Sequence, residues 1–454
     1  MKKIILLLAL VGFETLAWAQ GNVHEQSESY VWPDDEMVVN KLRSWQDLKF
    51  GVLIHWGLYA VPGIVESWSI CDEDWITRDT TRTYQQYVDW YFSLADEFCP
   101  QQFDPTQWAD ACFDAGMRYM IFTTKHHDGF CMWDTRQTDF SIARHAFGDD
   151  ARRDVLQHVI RAFRAKDFTI GTYFSKPDWH SQDYWWDVYG KKGRNVNYPV
   201  SRHPERWNRF KEFTYRQIDE ILSGYGQVDI LWLDGGWVWP GNRGQDLDMP
   251  RIARMARQRQ PGILIVDRTI GGPYENYVTP ERTVPDKQLD YPWESCIPLS
   301  DDWGYVKHPH WKSPQKVINT LVEIVAKGGN MVLGIGPTPD GLIEPEAVER
   351  LKAIGQWLRE NGKAIYDTQP VKNYHVGNLW FTGSKDGSRL YAIYLLDEGA
   401  SMPKTLTWEG NKPKKGVTLM ATGKSLKCKV EGQQTTVYLP KGMKAGSFAL
   451  ELTL

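Results

Sequence analysis

Polar side chains crowd together immediately after short apolar runs at five places in this sequence. They are His55-Trp56-Gly57, Lys125-His126-His127-Asp128-Gly129, Tyr173-Phe174-Ser175-Lys176-Pro177-Asp178-Trp179, Trp232-Leu233-Asp234-Gly235 and Asp267-Arg268. Each mixes acids, bases or aromatic rings, the side-chain types that move protons and hold polar ligands. Asp234 ends the strongly apolar run Val228–Leu233, and Gly235-Gly236 after it lets backbone and a ligand come close to its carboxylate. Two further carboxylates lie in proline- and aromatic-rich stretches, Glu281 in Thr279-Pro280-Glu281 and Glu294 in Tyr291-Pro292-Trp293-Glu294. The chain holds 22 Trp and 21 Tyr. Sugar rings rest their C–H faces on aromatic planes while their hydroxyls take hydrogen bonds, so this composition tilts towards carbohydrate. His126-His127-Asp128 also invites a metal reading. Adjacent strand residues point to opposite faces, however, so the two histidines can chelate one ion only where the backbone leaves β geometry. No metal and no cofactor is expected.

The elements that must position these groups alternate. Strand candidates at Phe50–Ile54, Met120–Thr124, Thr169–Phe174, Val228–Leu233, Ile263–Val266 and Met331–Ile335 are separated by helix candidates. The helices fall at Thr106–Ala115, Arg153–Lys166, Glu205–Ser223, Gln315–Lys327 and Glu346–Glu360. Asp104-Pro105, Ser313-Pro314 and Glu344-Pro345 open three of them. Such alternation predicts a parallel α/β sheet or (β/α)8-like TIM barrel, in which catalytic residues gather at the carboxyl ends of the strands. Six strands are visible where a barrel needs eight, which leaves a doubly wound sheet as the alternative. From Tyr366 onward helix signals stop and short alternating runs follow: Leu379–Phe381, Arg389–Leu395, Thr405–Trp408, Thr435–Leu439 and Phe448–Leu452. They predict a C-terminal antiparallel β-sandwich over 366–454, behind a catalytic unit over 20–365.

The ordered motifs from Lys49 to Tyr366 resemble the retaining α-L-fucosidases of glycoside hydrolase family 29. They are Lys49-Phe50-Gly51-Val52-Leu53-Ile54-His55-Trp56-Gly57, Glu66-Ser67-Trp68, the Lys125–Gly129 stretch, Trp232-Leu233-Asp234-Gly235, Trp293-Glu294-Ser295-Cys296 and Trp303-Gly304-Tyr305. The resemblance implies an exo-acting hydrolase of terminal α-L-fucosyl residues on glycans, built as a barrel with a C-terminal sandwich. It implies Asp234 as nucleophile, and His55, Glu66, Trp68, His126, His127 and Tyr173 around the sugar, with Arg268 near the nucleophile. Trp303 is a candidate to stack on the face that carries the C6 methyl. A retaining enzyme also needs an acid/base about 5–5.5 Å from the nucleophile. Glu294 is the first choice, because a neighbouring aromatic ring can desolvate it and raise its pKa. Glu281 is the alternative, with Glu275 and Asp286 next. Trp179, Trp185, Trp186, Trp237 and Trp239 are placed on the leaving-group side. The competing functions are an α-L-galactosidase, whose substrate differs at C6, and a non-catalytic carbohydrate-binding barrel.

The amino terminus carries Lys2-Lys3, an apolar run from Ile4 to Phe13 and Ala17-Trp18-Ala19 before Gln20, the order of a secretory signal over residues 1–19. That predicts export across the inner membrane, to the periplasm, with no membrane span in the mature chain. A net charge of -4 supplies no basic footprint for nucleic acid. Six cysteines without a CxxC argue against a disulfide scaffold while leaving room for one bridge.

Overall fold

The structure, a computed structural model, describes residues 30–190 and 192–454. The predicted signal segment lies outside the described residues. In chain order the first elements are α1 (Glu36–Leu48), β1 (Phe50–Ile54), α2 (Tyr84–Ser93), α3 (Pro105–Asp114) and β2 (Tyr119–Lys125). Next come α4 (Val155–Arg164), β3 (Thr169–Ser175), α5 (Pro204–Gly224), β4 (Ile230–Asp234), α6 (Met249–Arg259) and β5 (Leu264–Asp267). The series ends with β6 (Glu294–Pro298), α7 (Pro314–Ala326), β7 (Asn330–Ile335) and α8 (Pro345–Asn361). The proline-led helix starts behave as their side chains dictate: Asp104 accepts from the Thr106 amide and Ser313 from the Lys316 amide.

The seven strands form one curled parallel sheet in the order β5-β4-β3-β2-β1-β7-β6. Successive strands lie side by side without reversal in mid-sheet, so the doubly wound alternative is not what forms. β1, β2 and β7 are buried along their whole length. That is the consequence of helices covering one face and a packed interior filling the other. The interior comprises Leu53, Tyr119, Ile121, Tyr173, Ile230, Trp232, Leu264, Val266, Cys296 and Val332, among others.

The eight-stranded expectation is corrected at one place. Among the described residues β5 and β6 do not pair with each other, and the irregular segment 275–282 lies between them. On one side the Asn276 amide donates to Ile265 O at 2.9 Å, and the Ile265 amide to Asn276 Oδ1 at 2.8 Å. On the other, the Glu294 amide donates to Val278 O and the Cys296 amide to Pro280 O. Pro280 has no N–H to give a ladder, which keeps the segment from becoming a strand while it closes the barrel.

The rest of the chain forms β8 (Thr368–Val376), β9 (Leu379–Ser384), β10 (Arg389–Tyr394), β11 (Thr405–Glu409), β12 (Gly416–Leu419), β13 (Lys424–Leu426), β14 (Cys428–Glu431), β15 (Gln434–Tyr438) and β16 (Phe448–Thr453). They make two antiparallel sheets, β13-β12-β16-β10-β9-β8 and β11-β15-β14. Phe381 and Leu450 of the first meet Leu406, Trp408 and Val437 of the second in a shared core. The larger sheet docks on the helical layer, where the Trp357 indole donates to Ser447 O at 2.7 Å and the Ala449 amide to Asn361 Oδ1 at 2.9 Å. All six cysteines are free thiols, so no bridge forms. No helix among the described residues is long and apolar enough to cross a membrane.

Candidate active site

The carboxyl ends of the strands bring most of the predicted residues together around Asp234, the last residue of β4. Its side chain remains 16% exposed although Arg268 and His127 beside it are buried, so a ligand can reach its carboxylate. Asp234 Oδ1 accepts from Arg268 Nη1 at 2.7 Å, and Oδ2 accepts from the Tyr173 hydroxyl at 2.6 Å. His127 Nε2 stands 3.8 Å from Oδ2. Burial alone would raise the pKa of Asp234, but Arg268, His127 and the Tyr173 hydrogen bond outweigh it and hold the carboxyl well below the usual range. The group is therefore an anion under all ordinary conditions. Gly235 makes the approach possible: its φ is +92°, and a Cβ there would sit 2.5 Å from Pro177 Cδ.

Arg268 uses its whole planar fork. Nη1 holds Asp234, Nη2 donates to Glu281 Oε2 at 2.9 Å and Nε donates to Thr279 Oγ1 at 3.0 Å. Its guanidinium lies over the Trp232 ring, 4.3 Å from the centroid. Glu281, 26% exposed, thus faces Asp234 across one cation, at the open end of the segment that closes the barrel.

Glu294, the first choice from the sequence as acid/base, stands apart from Asp234 and Arg268 in the structure. Glu294 opens β6, at the opposite end of the strand from the cleft, and is fully buried. Its oxygens accept from the Tyr119 hydroxyl at 2.7 Å and the Trp232 indole at 3.3 Å. Burial pushes its pKa up to about 7, as the sequence argument expected, but the cause is the barrel interior rather than Trp293. Trp293, the residue before it, packs on Gly329 instead. Of the remaining candidates, Glu275 is buried and accepts from the Thr269 and Gly271 amides, stapling the loop after β5, and Asp286 is exposed.

The expected sugar-binding residues line the same cavity. After β2 the ladder to β3 slips between Thr123 and Lys125, and both neighbouring histidines turn to one side, their ring centroids 4.2 Å apart. Each Nδ1 is oriented by a hydroxyl, Ser67 for His126 and Ser175 for His127, the latter at 2.6 Å. The two serines were not singled out from the sequence; Ser67 sits inside the Glu66-Ser67-Trp68 motif, which was the available signal. His55, on the far side, stacks on Trp303 with centroids 5.4 Å apart, and its buried Nδ1 has no partner among the described residues. Burial lowers the pKa of all three rings, that of His126 to about 4, so they are neutral donors and acceptors at neutral pH. Glu66 Oε1 takes the amides of Trp303 and Gly304 at 2.7 and 2.8 Å, which fixes the loop that presents Trp303. Trp68 packs edge-on to His127 and beside Trp237.

The leaving-group expectation for the other tryptophans is corrected in part. Trp179 and Trp185 are buried and stacked on each other at 5.0 Å, with Trp179 also packed against Trp68 and His127, so they back those residues rather than face the solvent, and Trp186 lies under the Arg206 guanidinium. Trp239 is 44% exposed.

A family model described as Alpha-L-fucosidase matches residues 17–363. The chain belongs to that family. It is accordingly a glycoside hydrolase, an α-L-fucosidase. Human tissue alpha-L-fucosidase is 30% identical over 414 residues, a match covering 86% of this chain and 83% of the relative. Among solved structures, alpha-L-fucosidase isoenzyme 1 from Paenibacillus thiaminolyticus superposes with a TM-score of 0.77 at 30% identity, covering 92% of this chain and 99% of that one. An alpha-L-fucosidase from Bacteroides thetaiotaomicron, solved as a covalent intermediate trapped from 2-fluoro-fucosyl fluoride with a glutamate-to-glutamine mutant, has a TM-score of 0.73 at 25% identity. That match covers 93% of this chain and 97% of the relative.

The electrostatics of this fucosidase site generate a pH prediction. Removing the Arg268 cation takes away the largest influence that opposes burial and leaves His127, the Tyr173 hydrogen bond and the Gly235 amide, so the pKa of Asp234 must rise. A nucleophile has to be ionised, and activity is then lost as pH falls through the new value. Arg268→Met is expected to bring an acid limb in kcat/KM up to about pH 4–6, where the parent enzyme has none from this group. Profiles with 4-nitrophenyl fucoside check it; an unmoved acid limb contradicts the assigned role of Arg268.

Proposed function

We propose that this enzyme is a retaining exo-α-L-fucosidase in which Asp234 is the nucleophile and Glu281 the acid/base. The observation that carries the assignment is the Arg268 fork, which holds both carboxylates on adjacent nitrogens of one guanidinium. One guanidinium keeps the two carboxyls close together, and a retaining mechanism asks for such a pair, with about 5–5.5 Å between them rather than the wider gap that admits a water. The covalent intermediate trapped in the Bacteroides thetaiotaomicron relative supports the same chemistry.

In the first step Asp234 attacks the anomeric carbon of the terminal fucosyl residue as Glu281 gives its proton to the departing glycosidic oxygen. The C–O bond breaks and a β-fucosyl ester forms on Asp234. Glu281, now a base, takes a proton from water, which attacks the same carbon and releases α-L-fucose with Asp234 restored. Neutral His55, His126 and His127, together with Glu66, Trp68 and Trp303, hold the sugar. A hydroxyl of the substrate supplies the acceptor or donor that the buried Nδ1 of His55 otherwise lacks. Tyr173 steadies the nucleophile through its hydrogen bond. The proposed organisation is a catalytic unit over 20–365 and a sandwich over 366–454.

The test exploits leaving groups of different pKa. A sugar alkoxide needs a proton in the transition state and a 4-nitrophenolate does not. Glu281→Ala should lose about 1000-fold or more in kcat/KM on fucosyl oligosaccharides, much less on activated aryl fucosides, and azide should restore turnover to the α-fucosyl azide. Wild-type behaviour on both substrate types overturns the role.

We also propose export to the periplasm, on the strength of the basic, apolar and small-residue order before Gln20. Amino-terminal sequencing of the mature protein should begin at Gln20; a mature chain that retains Lys2-Lys3 contradicts it.

A further inference from the structure

Glu294 is left without a part in the steps above, yet it is a carboxyl buried in the middle of the barrel. A buried carboxyl is costly unless strongly hydrogen-bonded, and a core needing only volume there is better served by an apolar side chain. Its partners come from other strands. Tyr119 of β2 donates to Oε2 at 2.7 Å, and Trp232 of β4 donates its indole N–H to Oε1 at 3.3 Å. The carboxyl thereby cross-links β2, β4 and β6 through the interior.

Trp232 is the part of this link that touches the chemistry. Alternation along β4 puts Trp232 on the same inward face as Asp234. Arg268 lies over its ring at 4.3 Å, and Tyr173 stacks against it at 5.2 Å with the planes 29° apart. Arg268 and Tyr173 are the two groups that hydrogen-bond Asp234. A buried indole N–H needs one acceptor to fix the orientation of its ring. For Trp232 that acceptor is Glu294.

We propose that Glu294 is a positioning residue, acting through Trp232: it fixes the ring on which Arg268 and Tyr173 are registered, and places its carboxyl at the N–H edge of that ring, whose face carries the guanidinium. This rests on the assignment of Asp234 and Glu281 above. Arg268 then answers to three carboxyls, two that it touches and one at the edge of the ring on which it rests. The groups facing Glu294 are Tyr119, Tyr277, Trp232 and Arg268, with Cys296 on its own strand. Arg268 is the one cation among them, so a change in the charge of Glu294 acts on Arg268. With burial holding Glu294 up to about 7, that change falls within a working pH range.

The test uses the full-length enzyme with Glu294→Gln, which keeps shape and an acceptor for the indole but removes the charge, and Trp232→Phe, which keeps a ring and removes the N–H. Without the charge, Arg268 acts more strongly on the carboxyls that it touches. The alkaline limb of kcat/KM in Glu294→Gln should therefore move down by about half a unit or more, with kcat lower by about 10-fold and KM little changed. At pH below that limb the loss should be equal for aryl fucosides and oligosaccharides, without azide rescue. Trp232→Phe should lower kcat by a similar factor, and provides the measurement if Glu294→Gln fails to fold. An unchanged limb and kcat in Glu294→Gln, or an unchanged kcat in Trp232→Phe, overturns the proposal. Azide rescue with strong leaving-group dependence in Glu294→Gln also overturns it, and returns the acid/base role to Glu294; the same pattern confined to Glu281→Ala leaves the catalytic assignment standing whatever Glu294 does.

Discussion

One guanidinium organises this site. Arg268 sets the ionisation of Asp234, hydrogen-bonds Glu281 and rests on Trp232, so its position depends on β4, β5 and the closing segment together. Burial by itself would favour a protonated Asp234, an inert nucleophile. The charge of Arg268, with the hydrogen bonds from Tyr173 and the Gly235 amide, reverses that preference in a buried setting where charge acts strongly. The histidines do not compete with it as cations, because the same burial keeps them neutral. Placing the Arg268 charge against Asp234, among neutral histidines, lets that carboxylate be anionic in a setting that otherwise suits an uncharged sugar.

The barrel makes that placement possible by an irregularity. A regular eighth strand between β5 and β6 would carry its residues in strict alternation, and prolines would be excluded from it. The segment 275–282 hydrogen-bonds to both edges instead, and its open end carries Thr279 and Glu281 to Arg268. Closure of the barrel and delivery of the second carboxylate are thus one structural act. Elsewhere the positioning is done by short polar links: serine hydroxyls orient two histidines, and Glu66 pins the loop of Trp303.

Much of this was legible in the residues. Asp234 stood out because an apolar run before it and two glycines after it describe a strand end open to a ligand, and the histidine, tyrosine and arginine clusters marked other strand ends in the same way. The choice between Glu294 and Glu281 was not legible. Sequence shows which residue is adjacent, Trp293, but adjacent strand residues face opposite ways, and the rings that do surround Glu294 come from β2 and β4. Depth along a strand is equally hidden, so a carboxylate at the start of β6 looked equivalent to one beside its end. β6 itself escaped notice because Glu294, Ser295 and Pro298 interrupt its apolar pattern. The Trp179–Trp185 pair shows the reverse error, since abundant aromatic residues in a loop read as cleft wall until their mutual stacking buries them.

The most direct measurement is to identify the residue that becomes covalently fucosylated. A 2-fluoro-fucosyl fluoride slows both steps by withdrawing charge from the developing cation, while its fluoride leaves without an acid, so the ester accumulates. Peptide mass spectrometry of the trapped enzyme should find one 2-fluoro-fucosyl group, on Asp234. A label on another carboxylate, or hydrolysis of the unmodified substrate with release of β-L-fucose as the first product, would contradict Asp234 as the nucleophile of a retaining enzyme.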